Sequence, residues 1–137
     1  MGEAEDKAAI LEVVNAYATG IDFKDSSLLR TCFSDDCVVD YGEVGVFRSP
    51  DEVVTFMDAA HKDMAHTYHR MSNTVTHLNG DVATSRTYFH GMMDLGGELW
   101  IDVFGHYDDE FVRTEEGWKI RHRRGTIARQ QLPELPA

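Results

Sequence analysis

The chain has 137 residues, of which 42% are hydrophobic and 27% are charged, as is usual for one soluble globular domain. Its 24 acidic side chains against 13 lysines and arginines give a formal net charge of −11, so we expect neither nucleic acid nor a membrane as a partner. We expect the basic side chains of residues 119–129 to be solvated or to balance the acidic surface. No apolar run could span a bilayer and residues 1–10 lack a signal-peptide pattern, which predicts a cytoplasmic protein.

Three helices are predicted in the first half of the chain. Apolar residues recur at helical spacing over residues 3–19, and Gly20 fits the end of this first helix. A short second helix follows, with Asp25 as its expected N-cap. The stretch SPDE at 49–52 is a capping box with proline at the first helical position. It predicts a third helix that ends near His61.

The remaining chain predicts β-structure. CVVDY at 37–41 is a short strand, and four longer runs rich in β-branched and aromatic residues follow. Turn dipeptides separate these runs: Asn79-Gly80, Gly96-Gly97 and Glu116-Gly117. We therefore predict a single α+β domain over 1–137, with three helices packed on a curved antiparallel sheet and a loosely held tail at 129–137.

The hairpins also predict which side chains share a face of the sheet. If the first two turn dipeptides form two-residue turns, counting outward places His69 opposite His90. One face then carries the residues that we expect in a pocket: His69, Met71, Asn73, Tyr88 and His90. The other face carries Phe89, Trp100 and Phe104. In a monomer these apolar side chains would be exposed to solvent, which predicts a homodimer or small homo-oligomer.

Motifs for metal, nucleotide and nucleophilic chemistry are missing from the sequence. His61, His66 and His69 lie close together, but no H-E-x-x-H or paired-cysteine pattern accompanies them. Cys32 and Cys37 are too few for a disulfide framework. There is no P-loop, no G-x-G-x-x-G and no G-x-S-x-G. We therefore expect no metal and no cofactor. The chemistry still compatible with the sequence is acid–base catalysis by histidine, aspartate and tyrosine.

Several loose motifs follow one another in a characteristic order. They are YATGID at 17–22, FSDDCVVDYG at 33–42, HRMSN at 69–73, NGDVATSRTYF at 79–89 and DDEFVRTEEGWKIRHRR at 108–124. In this order the chain resembles the SnoaL-like branch of the nuclear transport factor 2-like superfamily over roughly residues 5–129. The resemblance implies a cone-shaped α+β barrel, with a curved sheet wrapped around helices and a deep pocket inside.

The dehydratases of this superfamily, such as scytalone dehydratase, imply a set of site residues. The resemblance assigns His69 as the base, Asp22 as its orienting carboxylate, and Tyr17 and Tyr41 as pocket phenols. It also implies a second histidine, for which His90 is the match. Elimination of water β to a carbonyl needs such a base, a carboxylate that holds the imidazole, and a proton donor. Asn73, Tyr88 and Met71 are the further residues predicted to contact substrate.

The sequence thus predicts a cofactor-independent dehydratase that acts on a hydrophobic hydroxy-carbonyl compound. Two alternatives stay open. One is a ketosteroid-isomerase-like or polyketide-cyclase-like enzyme with Asp40 as its base. The other is a small-molecule-binding or dimerisation module without chemistry, in which His69 and Asp22 are only a buried pair and Tyr17 is only a core residue.

Overall fold

The computed structural model describes residues 2–131, which form three α-helices, a short 3₁₀ turn and six β-strands. The elements are α1 Glu3–Asp22, α2 Ser26–Thr31, β1 Phe33–Asp40, the 3₁₀ turn Gly42–Val44, β2 Val46–Phe47, α3 Pro50–His61, β3 Thr67–Asn79, β4 Val82–Gly96, β5 Leu99–Thr114 and β6 Gly117–Gln131. The predicted α+β architecture is confirmed. The first three residues of the predicted loose tail belong to β6, and 132–137 lie outside the described residues. No helix among residues 2–131 is long and apolar enough to cross a membrane.

The strands form one sheet in the order β2-β1-β6-β5-β4-β3. Strands β3 to β6 are the predicted antiparallel meander, but β1 runs parallel to β6, so the sheet is mixed. Local turn signals could not reveal this pairing, because β1 and β6 are far apart in the sequence. Within residues 2–131 the sheet is open rather than a closed barrel, with β2 and β3 as its edges. The apolar core lies between the helices and one face of this sheet, which we call the inner face.

The helix ends follow from local chemistry, with one correction. The side chains of Asp25 and Ser49 each accept a hydrogen bond at 3.1 Å from the backbone N–H three residues later, so both predicted caps are present. Helix α1, however, continues past Gly20 to Asp22. A Cβ atom on Gly20 would lie 3.0 Å from the backbone nitrogen of Leu29. This glycine therefore allows α2 to approach and does not end the helix.

The hairpin turns on either side of β4 each lie one residue later than predicted. The turn residues are Gly80-Asp81 and Gly97-Glu98. Gly97 and Glu98 have φ angles of 61° and 67°, and a type I′ turn requires positive φ at both of its central positions. A turn that moves by one residue changes each pairing by two residues and keeps the faces. The register shifts between Ser72 and Val75 and between Asp94 and Gly96 each remove one residue of this change. Beyond them β4 is offset by one residue against both neighbours, so its side chains lie on the faces opposite to those predicted.

A buried carboxylate joins the start of α1 to the β5–β6 hairpin. Asp6 accepts hydrogen bonds from Arg113 Nη1 at 2.8 Å and Nη2 at 3.0 Å, and from Trp118 Nε1 at 3.1 Å. The Arg113 guanidinium also lies 4.5 Å from the centre of the Trp118 ring. The hydrogen bond from Arg113, followed by that from Trp118, lowers the pKa of Asp6 from 3.8 to about 2.

Replacing Asp6 by Asn is expected to lower the urea midpoint of unfolding, by an amount that depends on pH. A carboxyl group whose pKa is lowered in the folded state stabilises the fold above its unfolded pKa, and this stabilisation is lost as pH falls through the folded pKa. The difference in urea midpoint between Asp6→Asn and wild type should therefore be constant above about pH 4 and shrink between about pH 4 and pH 2. Asp35→Asn, at an exposed position, is the control. A difference for Asp6→Asn that does not change with pH would contradict this assignment.

Candidate active site

A pocket of about 270 Å³ opens between α1, α3 and the inner face of the sheet. Its walls are mainly apolar and aromatic, and they include Phe56, Met57, Phe89, Met93 and Val103. Six polar side chains also line it: Tyr17, Tyr41, His61, His69, Tyr107 and Gln130. A concave apolar site with a few convergent polar groups is typical of small-molecule binding.

His69 and Asp22 form a hydrogen-bonded pair at one end of this pocket. Nδ1 of His69 lies 2.7 Å from Oδ1 of Asp22, and the side chains are 6% and 13% exposed. A carboxylate accepts only, so Nδ1 carries the proton and the lone pair of the neutral ring is on Nε2. The imidazole is thus held in the tautomer that a general base requires.

Two further hydrogen bonds hold Asp22 in place. Its Oδ2 atom accepts from the backbone N–H of His69 at 2.8 Å, and its Oδ1 atom accepts from Thr67 Oγ1 at 2.9 Å. Because α1 continues to Asp22, the carboxylate projects from the helix end onto the first residues of β3. Three hydrogen bonds therefore fix the group that orients His69.

The residue opposite His69 on β4 is Gly91. A Cβ atom on Gly91 would lie 3.6 Å from Cδ2 and 3.7 Å from Nε2 of His69. The absence of a side chain here leaves space beside the basic nitrogen. This is the position at which the sequence predicted His90.

Tyr17 and Tyr41 form a second polar pair in the pocket, with their hydroxyl oxygens 2.7 Å apart. Burial raises the pKa of Tyr17 well above its usual value, and Tyr107 and Tyr41 raise it further. Burial likewise raises the pKa of Tyr41. Both phenols are therefore protonated at neutral pH, and one donates to the other. The second hydroxyl hydrogen is available to a bound molecule.

A buried ion pair lies behind the tyrosines. Arg123 donates two hydrogen bonds to Asp109, at 2.8 Å and 2.9 Å, and both side chains are 0% exposed. The guanidinium carbon lies 4.2 Å from the ring centre of Tyr17 and 4.0 Å from that of Tyr107. Arg123 thus packs against two pocket tyrosines through cation–π contacts, and its charge opposes the rise in the pKa of Tyr17.

The chain matches the model of a known protein family. The family model described as a SnoaL-like domain matches residues 2–124. The chain belongs to the SnoaL-like domain family. The predicted resemblance to the SnoaL-like branch of the nuclear transport factor 2-like superfamily is confirmed.

Relatives and fold neighbours of this SnoaL-like chain span nearly its whole length. An uncharacterized protein of Mycobacterium tuberculosis is 27% identical over 136 residues, covering 96% of this chain and 92% of that protein. A scytalone dehydratase-like protein of Novosphingobium aromaticivorans has a TM-score of 0.87 at 18% identity, with 98% and 91% of the two chains covered. Hexachlorocyclohexane dehydrochlorinase LinA-type3 of Novosphingobium barchaimii has a TM-score of 0.86 at 16% identity, with 98% and 97% covered. Identities this low for the two solved structures show a shared fold, and both neighbours carry the names of enzymes.

Two residues predicted to bind substrate lie on the opposite, outer face of the SnoaL-like sheet. Tyr88 is 52% exposed. His90 stacks on Phe104 with ring centres 4.4 Å apart, and its Nε2 atom lies 2.8 Å from Asp102. The predicted register that placed Tyr88 and His90 beside His69 was wrong, because β-bulges between Ser72 and Val75 and between Asp94 and Gly96 leave β4 offset by one residue. Phe89, which was predicted outside, is instead a wall of the pocket.

The two remaining predicted contact residues come from β3. Asn73 has a φ of 56° where the β3–β4 pairing shifts, and it is exposed in an outer groove together with Tyr88. The bulge turns Asn73 away from the pocket that His69 lines. Met71 packs half-buried against the core on the inner face, as its alternation with His69 predicts.

The sequence also contained signals for pocket residues that were not predicted. His61 follows Met57 by one turn on the buried stripe of α3. Tyr107 continues the alternation of Ile101 and Val103 along β5. Of the three clustered histidines, His61 and His69 line the pocket, whereas His66 stacks on Tyr68 with ring centres 6.5 Å apart. No group of three or more potential metal ligands is present in residues 2–131.

Proposed function

We propose that this SnoaL-like protein is a cofactor-independent dehydratase that acts on a small, hydrophobic hydroxy-carbonyl compound. The observation that carries the proposal is the 2.7 Å hydrogen bond between His69 Nδ1 and Asp22, inside an apolar pocket that also holds a phenol pair. The pocket volume of about 270 Å³ is near the lower end of the range for small-molecule sites, which favours a substrate of one or two rings.

The proposed reaction begins at Nε2 of His69. This nitrogen takes the proton from the carbon next to the carbonyl, and Asp22 stabilises the imidazolium that forms. The electron pair of the broken C–H bond becomes the new C=C bond, and the C–O bond at the β-carbon breaks. The free hydroxyl of the Tyr17–Tyr41 pair protonates the departing hydroxide, which leaves as water. Return of the proton from His69 to the phenolate restores the resting state.

The surroundings of Asp40 favour His69 as the base. Asp40 lies in the outer groove, and its Oδ1 atom accepts a hydrogen bond from the backbone N–H of Gly42 at 2.8 Å. Asp40 is not among the residues that line the pocket of His69. A general base must lie within hydrogen-bonding reach of the proton that it removes. This arrangement therefore supports the dehydratase over an isomerase or cyclase that uses Asp40.

A panel of one- and two-ring β-hydroxy ketones, beginning with the aldol of benzaldehyde and acetone, tests the proposed function. Dehydration forms a conjugated enone, whose absorbance reports the rate. Wild type and the control His66→Ala should accelerate enone formation over buffer, whereas His69→Ala should not. Undiminished turnover by His69→Ala would contradict the proposal.

We further propose that a second copy of the chain packs on the outer face of the sheet. Tyr68 is 51% exposed there, Phe104 is 37% exposed, and the rings of Tyr68 and Trp100 stack with centres 6.4 Å apart. An aromatic surface of this kind is typical of a protein–protein contact.

Trp100→Glu is expected to shift the protein toward monomer, because it places a charge within this aromatic surface. Sedimentation velocity at micromolar concentration measures the change. Leu11→Glu, which alters an exposed side chain of α1, is the matched control and should leave the assembly intact. A monomeric wild type, or equal sedimentation of wild type and Trp100→Glu, would contradict the proposed contact.

A further inference from the structure

His61 ends helix α3 and lies between two cavities. On one side its ring lines the pocket of His69, and the two ring centres are 6.0 Å apart at an interplanar angle of 64°. On the other side it lines a cleft of about 330 Å³ between the helices, whose walls include Lys24, Ser26 and Asp58. Only 8% of His61 is exposed. The ring therefore separates a mainly apolar pocket from a cleft whose walls are partly polar and charged.

The hydrogen bond of His61 determines which of its nitrogens is free. Nδ1 lies 2.9 Å from the backbone carbonyl oxygen of Met57. A carbonyl only accepts, so Nδ1 donates its proton and the lone pair of the neutral ring is on Nε2. Burial lowers the pKa of His61, and the neighbouring His69 lowers it further. The ring is thus neutral at pH 7, with Nε2 as an acceptor.

This acceptor is reached from a cavity. Nε2 of His61 has no hydrogen-bond partner among residues 2–131. Two buried side-chain atoms in this part of the chain lack both solvent contact and a partner, Ser85 Oγ and Arg123 Nη1. Nε2 is not one of them, so it retains accessible surface. A molecule in a cavity that His61 lines can therefore donate to it.

The polar groups of the pocket define a complementary ligand. The Tyr17–Tyr41 pair offers one free hydroxyl hydrogen, which suits a carbonyl or leaving oxygen. His69 presents Nε2 to the proton that is removed. His61 presents a second acceptor 6.0 Å away, measured between ring centres. A ligand that satisfies all three has a hydrogen-bond donor in addition to the reacting group.

We propose that His61 is a specificity-determining residue that accepts a hydrogen bond from a second hydroxyl group of the substrate. The inference rests on the proposed function, and it narrows the substrate class to small hydroxy-carbonyl compounds that carry a further phenolic or alcoholic hydroxyl. A substrate that has an ether in place of this hydroxyl, or no substituent there, leaves Nε2 of His61 without a hydrogen-bond donor in an apolar environment. Sites built to hydrogen-bond a hydroxyl reject analogues that lack it.

A matched pair of probes, β-naphthol and its methyl ether, tests this role by calorimetric titration. Wild type is expected to bind β-naphthol more tightly than the ether. His61→Phe keeps a ring but removes the acceptor, so it should weaken β-naphthol binding roughly 3- to 10-fold and leave the ether within about 2-fold. His66→Phe, outside the pocket, should retain the wild-type preference. No preference in wild type, or an unchanged preference in His61→Phe, would overturn the proposal.

Nitrogen-15 spectra of histidine-labelled wild type give a second measurement that does not depend on the folding of the phenylalanine variant. The His61 signals are assigned by difference from His61→Gln. At pH 7 the spectrum should show the proton on Nδ1, and β-naphthol but not its ether should shift the Nε2 signal. An Nε2 signal that β-naphthol leaves unmoved would mean that this atom faces the cleft between the helices, and it would overturn the proposal. Neither measurement requires turnover, so failure of the His69 mechanism and failure of the His61 role remain distinguishable.

Discussion

Replacing Asp22 by Asn is expected to lower dehydration turnover by roughly 10²- to 10⁴-fold, the range that general-base catalysis contributes. The amide keeps nearly the same shape, but it removes the charge that stabilises the imidazolium of His69. Its NH₂ group can also hold the ring in the wrong tautomer. His69→Ala should fall within the same range. Enone formation by each variant, with folding checked by circular dichroism, measures the effect.

The double variant separates a functional pair from two independent residues. Because His69 and Asp22 act as a unit, the double variant should be scarcely less active than either single variant. Asp25→Asn, which changes a capping carboxylate three residues after Asp22, is the matched control and should retain activity. Losses that multiply in the double variant would show that the two residues are not coupled.

Asp109→Asn is expected to destabilise the fold by about 3–5 kcal/mol, because it leaves the charge of Arg123 buried without compensation. Both side chains are fully buried, and Arg123 also packs against Tyr17 and Tyr107. The change keeps the shape of the side chain, so the effect isolates the lost charge. The free energy of unfolding from urea titrations gives the magnitude.

The adjacent residue provides a stringent control. Asp108 pairs with Arg86 at 2.7 Å on the outer face, where the side chains are 40% and 59% exposed. Asp108→Asn should therefore change the free energy of unfolding by about 1 kcal/mol or less. Equal losses in the free energy of unfolding for Asp109→Asn and Asp108→Asn would show that the buried Arg123–Asp109 pair stabilises the fold no more than the exposed pair.

The features that the sequence predicted correctly are those that local chemistry determines. The caps at Asp25 and Ser49 depend on side chains within three residues of the bonds that they form. The same is true of the alternation that places His69 and Met71 on the inner face. The proximity of Asp22 and His69 required the family resemblance, because 47 residues separate them in the sequence.

The features that were missed depend on single-residue shifts between strands. Each β4 turn occurs one residue later than its most obvious dipeptide, and a bulge in each hairpin then offsets the pairing by a single residue, which moves His90 out of the pocket and Phe89 into it. A bulge in β6 similarly interrupts the alternation that begins at Trp118 and Ile120. Arg123 was therefore grouped with solvated basic residues, although it is fully buried. An offset of one residue moves every side chain of a strand to the opposite face of the sheet. The alternating sequence pattern is compatible with either register, so the offset is seen only in the structure of the paired strands.

The most direct measurement of His69 as the base is exchange of the α-protons of α-tetralone with deuterium oxide, followed by proton NMR. This ketone has acidic protons but no leaving group, so exchange reports proton removal alone. Wild type and Asp40→Asn should accelerate the exchange over buffer, whereas His69→Ala and Asp22→Asn should lose roughly 10²- to 10⁴-fold of that acceleration. Exchange that survives in His69→Ala, or that disappears in Asp40→Asn, would contradict the assignment of the His69–Asp22 pair as the catalytic base.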